Sequence, residues 1–240
     1  AHAQEIRTDP ALDATQEVSQ QADPSSSEII VTATRREASL QKVPVAVTAV
    51  SNLALTTSGV ENVRSLNLVA PGYNGGRNQN VMQPSIRGVG SNGTSVGDES
   101  NVAVYVDGIY QGDPYSTQID LVEISRIEVL RGPQGTVFGR NATGGLVNVV
   151  TPDPQFNSRG RIKASGARTR ERANNFDISG YVTGGLTDTI AADLAVLYRN
   201  QDGYAVNLFK GGTVGDRETI SVRSKLLFQP SDTAKFVLTV

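Results

Sequence analysis

Between Ile127 and Thr151 the chain reads IEVLRGPQGTVFGRNATGGLVNVVT, a stretch that neither a helix nor an unbroken strand accommodates. Two short β-prone runs, Ile127 to Leu130 and Leu146 to Thr151, enclose fifteen residues that hold five glycines and one proline. Glycine opens backbone torsions closed to other residues, and proline lacks an N–H, so both punctuate regular structure. The spacing predicts strand, structured loop, strand.

The rest of the composition narrows the options. At 240 residues the chain suits one or two domains. No run approaches the ~18 apolar residues that a membrane-crossing helix needs, which excludes a helical membrane protein and leaves a β-barrel open. Acidic and basic residues nearly balance, 24 against 22, with no basic cluster, so nucleic acid is not an expected partner. There is no cysteine, which removes disulfides, thiolate metal sites and cysteine nucleophiles and suits export through an oxidising periplasm. The single histidine, His2, lies in a polar tail, so no His-based triad or His-rich metal site is available. Nucleotide, metalloprotease, hydrolase and EF-hand motifs are missing. No cofactor, no metal and no enzymatic activity are expected.

Ala1-His2-Ala3 fits the small-x-small end of a signal peptide, with Gln4 as the mature start; an arbitrary start is the alternative. Gln4 to Ser27 is polar and unperiodic, so residues 1–27 read as a signal-peptide remnant and disordered tail. A β-prone island follows, Glu28-Ile29-Ile30-Val31-Thr32-Ala33-Thr34, ahead of the charged Arg35-Arg36-Glu37. An exposed extended segment of this kind adds itself to the edge of another protein's sheet; the other reading is an ordinary first strand of the following domain. Val43 to Val50 suits a buried strand with Pro44 near its start. Ser58 and Glu61 form a capping-box signature for a short helix through Val63, Leu66 and Val69 that stops at Pro71-Gly72. Asn74 to Gln83 and Ser91 to Ser100 read as polar, glycine-rich loops around a short strand, Ser85 to Gly88. Gly88 to Gly93 matches G-x-G-x-x-G, but loop-forming residues stand where a dinucleotide site needs a helix. Asp107-Gly108, between Val102–Val106 and Ile109–Tyr110, is a strong hairpin signal. Gln111 to Gln118 makes a third loop, and Asp120 is the expected cap of a short helix through Ser125.

After Pro152 the pattern changes to long alternating segments. Phe176, Ile178, Gly180, Val182, Gly184 and Leu186 oppose Asp177, Ser179 and Thr183. Ile190, Ala192, Leu194, Val196 and Tyr198 oppose Asp193 and Arg199, and Ile220, Val222, Leu226 and Phe228 oppose Arg223 and Lys225. Leu197 and Leu227 break the polar face. Alternation alone fits a soluble antiparallel sheet as well as a membrane barrel. Short turns at Thr187-Asp188 and Pro230-Ser231-Asp232, against a long connection from Gln201 to Arg217, favour the barrel. The chain stops inside an alternating segment, so a fragment is expected.

The order Glu128, Arg131-Gly132-Pro133, Gly139-Arg140, Asn141 and Gly144-Gly145 before an apolar strand closely resembles the end of the plug domain of TonB-dependent outer-membrane receptors. EIIVTA resembles the family's TonB box, the helix before Pro71-Gly72 its early plug helix, and VYVDGIYQGD its plug hairpin. The resemblance implies an α+β plug domain with a mixed β-sheet over 37–152, preceded by a TonB-box segment at 28–36. The N-terminal antiparallel strands of a 22-stranded transmembrane β-barrel would follow over 153–240. It places the protein in the outer membrane of a Gram-negative bacterium, in contact with lipid, with plug and N-terminus facing the periplasm.

In that family the inner-membrane-energised TonB protein grips the box and pulls the plug open. Carried over, Glu28, Ile29, Ile30, Val31, Thr32 and Ala33 would bind TonB. Ligand would meet the three plug loops through Arg77, Asn78 and Asn80, through Ser91 and Asn92, and through Gln111, Asp113 and Tyr115. Arg87 and Arg131 match arginines that pair with barrel carboxylates, a role that suits a permanently charged planar fork; two plain surface arginines are the alternative. The implied function is import of a scarce, bulky small molecule, most often a metal-chelating siderophore, with carbohydrate and cobalamin also open. A passive plugged-barrel surface binding protein without energy coupling is the competing reading.

Overall fold

The computed structural model describes residues 29–32, 35–36, 38–60, 62–78, 81–93, 95, 97–113, 122–168, 174–203, 205–206, 209 and 213–240. The first described segment forms β1 (Ile30–Val31), which pairs antiparallel with β2 (Ala38–Ser39). A 3-10 turn, Leu40–Lys42, leads to β3 (Val47–Ser51) and α1 (Asn52–Thr57). After a 3-10 helix, Val63–Leu68, come β4 (Tyr73–Asn78), β5 (Val81–Ile86) and β6 (Val89–Gly90). Next are β7 (Val102–Val106), β8 (Ile109–Tyr110), β9 (Arg126–Arg131), α2 (Gly135–Phe138) and β10 (Gly145–Val150).

The β-prone runs of the opening stretch pair as β9 and β10, with Leu130 opposite Leu146 and Val129 opposite Val147. They sit inside a mixed sheet ordered β3-β9-β10-β7-β8, in which β10 runs parallel to β7 and the other pairings are antiparallel. Because side chains alternate, this sheet feeds two cores. Ile127, Val129, Val147 and Val149 pack with Val63, Leu66 and Ile86 on one face. Leu130, Leu146, Ala103, Tyr105, Phe138 and Val31 pack on the other. Each fully buried aliphatic side chain contributes about 1.5–3 kcal/mol, so the double-sided central pair is the body's anchor.

Several local expectations are corrected. Asn74 to Gln83 is largely strand, not loop: β4 and β5 form an antiparallel hairpin. Its glycines reflect packing, since a Cβ on Gly75 would overlap the backbone of Arg64 in the neighbouring 3-10 helix. That helix is capped by Asn62, reciprocally with Ser65, and not by Ser58. The unforeseen α1 has Ser51 as its cap. The Val43–Val50 run forms a strand only from Val47, and as an edge strand it buries only Val50. Residues 122–125 are not helical, and 114–121 lie outside the described residues. The hairpin stands as expected, with Asp107 (φ 48°) and Gly108 (φ 81°) both in the left-handed region that a type I′ turn requires.

The second part is one antiparallel sheet of long strands. It contains β11 (Arg159–Arg168), β12 (Asn174–Gly185) and β13 (Ile190–Gln201). A two-residue hairpin, β14 (Ala205–Val206) with β15 (Thr213–Val214), interrupts the following connection. Then come β16 (Arg217–Ser231) and β17 (Ala234–Thr239), giving the order β11-β12-β13-β16-β17. The strands β12 and β13 reach 12 residues each, enough for a tilted crossing of a bilayer, which takes about 9–11.

Polarity across this sheet is inverted relative to a soluble protein. Asp193, Arg199 and Lys225 are buried, whereas Leu194, Val196, Ile220, Val222, Leu226 and Phe228 are exposed. Along β13 and β16 the charged face is covered by the first part of the chain and the apolar face is not, which settles the ambiguity left by alternation alone. Leu197 and Leu227 interrupt the polar face because both are buried beneath the first part.

Candidate functional site

The box-like segment is docked. Ile29 and Ile30 are partly exposed, but Val31 is fully buried in the core that contains Leu130 and Leu146. The Leu40 N–H donates to the Ile29 carbonyl at 2.9 Å, extending the short β1–β2 ladder. Beyond it, the Thr32 N–H donates to Glu128 Oε1 at 2.8 Å, and the Thr32 hydroxyl lies 3.1 and 3.2 Å from the two carboxylate oxygens. Asn148, opposite Glu128 across the β9–β10 pair, donates from Nδ2 to Thr32 Oγ1 at 3.0 Å and to Glu128 Oε2 at 3.3 Å. Arg126 Nε completes the set at 2.7 Å. Glu128 is thereby wholly buried, and four donor groups offset the loss of water around its charge. The Arg35 guanidinium sits over the Phe138 ring at 5.3 Å, a second polar hold on the same segment. Only the first half of the segment is open, in contrast to the exposed strand expected from sequence. Glu28 and Ala33 lie outside the described residues.

The loop residues separate into two neighbouring concavities. Asn78, Ser91 and Asn92 line one of about 370 Å³ together with Asn74 and Gln83. Asn78 Nδ2 donates to the Asn92 carbonyl at 3.4 Å, and Gln83 Nε2 donates to the Gly93 carbonyl. The Ser91 hydroxyl accepts from the Asn101 N–H at 2.8 Å and donates to the Glu99 carbonyl, so it also holds its own loop. Ser91 and Gln111 share the adjoining cleft with Asp98 and Glu99. Asp113 is exposed just beyond β8, and Arg77 lies on β4 opposite Met82. Asn80 and Tyr115 lie outside the described residues.

Among the described residues, neither arginine expected to pair with barrel carboxylates meets the long-stranded sheet. Arg87 (φ 53°) is exposed in the tight turn between β5 and β6. Arg131 donates from Nη2 to Thr48 Oγ1, clasping β9 to β3, and its Nε is buried with no partner among the described residues.

Other residues make the connection. Lys225 of β16, 2% exposed, lies 3.1 Å from Asp107 Oδ2 and 3.4 Å from Asp153 Oδ1, and donates to the Thr151 carbonyl at 3.3 Å. Asp107 in turn accepts from the Thr151 N–H and hydroxyl at 2.8 and 2.6 Å. Arg223 reaches Thr151 Oγ1 at 3.0 Å and Asp193 Oδ2 at 3.4 Å. Lys235 closes on Asp153 at 2.6 Å. Burial alone would push the Asp153 carboxyl up, but the hydrogen bonds and charges of Lys235 and Lys225 outweigh it and hold the group below its ordinary value. Farther along the wall, Arg161 pairs with Glu123 at 3.2 Å and Arg199 with Asp177 at 2.6 Å around a cavity of about 480 Å³ beside α1.

A mixed-sheet body, ion-paired to the charged inner face of long antiparallel strands whose outer face is apolar, defines the class of plugged transmembrane β-barrels. Residues 39–146 match the family described as the TonB-dependent Receptor Plug Domain. The pesticin receptor of Yersinia pestis is 33% identical over 213 residues, covering 86% of this chain and 30% of that protein. The crystal structure of the ferric yersiniabactin uptake receptor FyuA from Yersinia pestis superimposes with a TM-score of 0.64 at 30% identity, covering 78% of this chain and 29% of that one. The pyoverdine outer membrane receptor FpvA from Pseudomonas aeruginosa shares the fold, with a TM-score of 0.71 at 18% identity over 90% of this chain and 30% of that one. The chain belongs to the TonB-dependent receptors, and its place is the Gram-negative outer membrane with the plug facing the periplasm. It spans about 30% of the length of the curated relatives it matches.

Proposed function

We propose that this chain is the gating part of an energised importer for a scarce, bulky small molecule, with a ferric siderophore as the substrate class. Residues 28–36 act as the TonB box, 37–152 as the plug and 153–240 as the first wall strands of a 22-stranded barrel. The observation that carries this reading is the attachment of Thr32 to Glu128 and Asn148. Tension on the box is delivered directly to the central strand pair β9–β10, around which the plug is built. The substrate class rests on the similarity to an iron-chelate uptake receptor and on the uncharged polar rim of Asn74, Asn78, Gln83 and Asn92, which suits a hydrophilic chelate. Glu28 to Ala33 supply the TonB contact, the β4–β5 hairpin and the two loops beyond it bind ligand, and Arg87 and Arg131 pair with carboxylates elsewhere in the barrel.

Capture of the full-length receptor by the periplasmic domain of TonB tests the coupling. Retention that is lost when residues 28–33 are removed fits the importer; capture indifferent to that removal favours a passive surface binding protein.

A further inference from the structure

We propose that Glu128 is an internal latch that sets how readily the box segment leaves the plug, and hence how much of it TonB can reach. The proposal rests on the importer reading and names its regulation.

Three structural facts support it. The polar pair Glu128–Asn148 stands on the sheet face that also carries the buried Leu130 and Leu146, between those leucines and Arg126 at the start of β9. Glu128 has no exposure, and Thr32 bonds to both of its carboxylate oxygens, so part of the cover over the charge is the box segment itself. Of the groups that satisfy it, Arg126 and Asn148 belong to the plug, while the Thr32 N–H and hydroxyl belong to the segment that has to move.

This division makes the site two-state. Docked, the carboxylate has lost water and gained Thr32. Undocked, it keeps Arg126 and Asn148 and recovers water, so release leaves no stranded buried charge. An apolar residue at 128 would give a sticky interface with no polar alternative. The segment is also held by the β1–β2 ladder with its Leu40–Ile29 bond, by the buried Val31 side chain, by the Asn148–Thr32 bond and by Arg35 over Phe138, and the Thr32–Glu128 bonds add a fully buried carboxylate to that set.

These 240 residues hold no cysteine, so once any cysteine elsewhere in the full-length receptor is replaced by serine, a single introduced thiol reports on one position. In the full-length receptor in outer-membrane vesicles, Val31→Cys is treated with a water-soluble maleimide, alone and combined with Glu128→Gln. Val147→Cys, at a fully buried site of the central pair, serves as the control for plug integrity. Weakening charge-assisted bonds of this kind predicts labelling at position 31 about tenfold faster with Glu128→Gln, while position 147 stays protected. Thr32→Val, which keeps the shape and the N–H but removes the hydroxyl, shifts the rate in the same direction. An unchanged rate at position 31 in both variants overturns the latch, and so does simultaneous exposure of position 147, which would make Glu128 a residue of plug stability. If position 31 opens while TonB captures none of the forms, the latch stands and the importer reading falls.

Discussion

Lys225 Nζ stands 3.1 Å from Asp107 Oδ2, an ion pair that joins the turn of the plug hairpin to wall strand β16. The same amine holds the plug's exit at the Thr151 carbonyl and Asp153, so one buried lysine fastens two separate plug segments to the wall. Removing one partner of a buried ion pair costs about 3–5 kcal/mol, because the other charge is left without compensation. Lys225→Met in the full-length receptor should therefore lower the melting temperature in detergent and admit large antibiotics that the seated plug excludes. An unchanged melt and unchanged exclusion would show that the clamp carries no load.

Acid should loosen this clamp through Asp153. Its folded-state pKa lies below the ordinary 3.8, so its contribution is fully present above the unfolded value and disappears as pH falls through the folded one. Wild type and Asp153→Asn should differ in plug resistance to protease at neutral pH. The two curves should converge in the pH range below the ordinary carboxylate value. A gap that persists at the acid end contradicts the assignment.

The inside-out polarity of the wall gives a positional test. Val222 is 62% exposed on the apolar face of β16, and Ser221 follows the opposite parity, across from Leu197. Arginine on a lipid-facing strand near the membrane midplane costs about 2–4 kcal/mol. Val222→Arg should reduce the heat-modifiable folded fraction in outer-membrane preparations far more than Ser221→Arg. Equal effects would argue against lipid on that face.

Much of this arrangement was legible in the sequence where local chemistry decides it. Asp107-Gly108 permits little other than a tight hairpin, and glycine and proline between two apolar runs separate β9 from β10. What escaped was decided by tertiary contact. Gly75 looks like a loop residue until the backbone of Arg64 is seen against it, and Gly76 until the Gln83 carbonyl is. Arg87 and Arg131 carried the family motif, yet among the described residues the clamp belongs to Lys225, Arg223 and Lys235, whose partners lie far away in sequence. Their only sequence signal was inward parity on an alternating strand. In the sequence Glu128 is one residue of a motif, and its contact with Thr32, 96 residues away, is set by tertiary packing alone.

Energy coupling through the box is tested by removing residues 28–33 from the full-length receptor and assaying ferric-siderophore binding and iron uptake in parallel. Binding at the cell surface should persist while uptake falls to background. Uptake that continues at the normal rate without the segment would contradict that coupling.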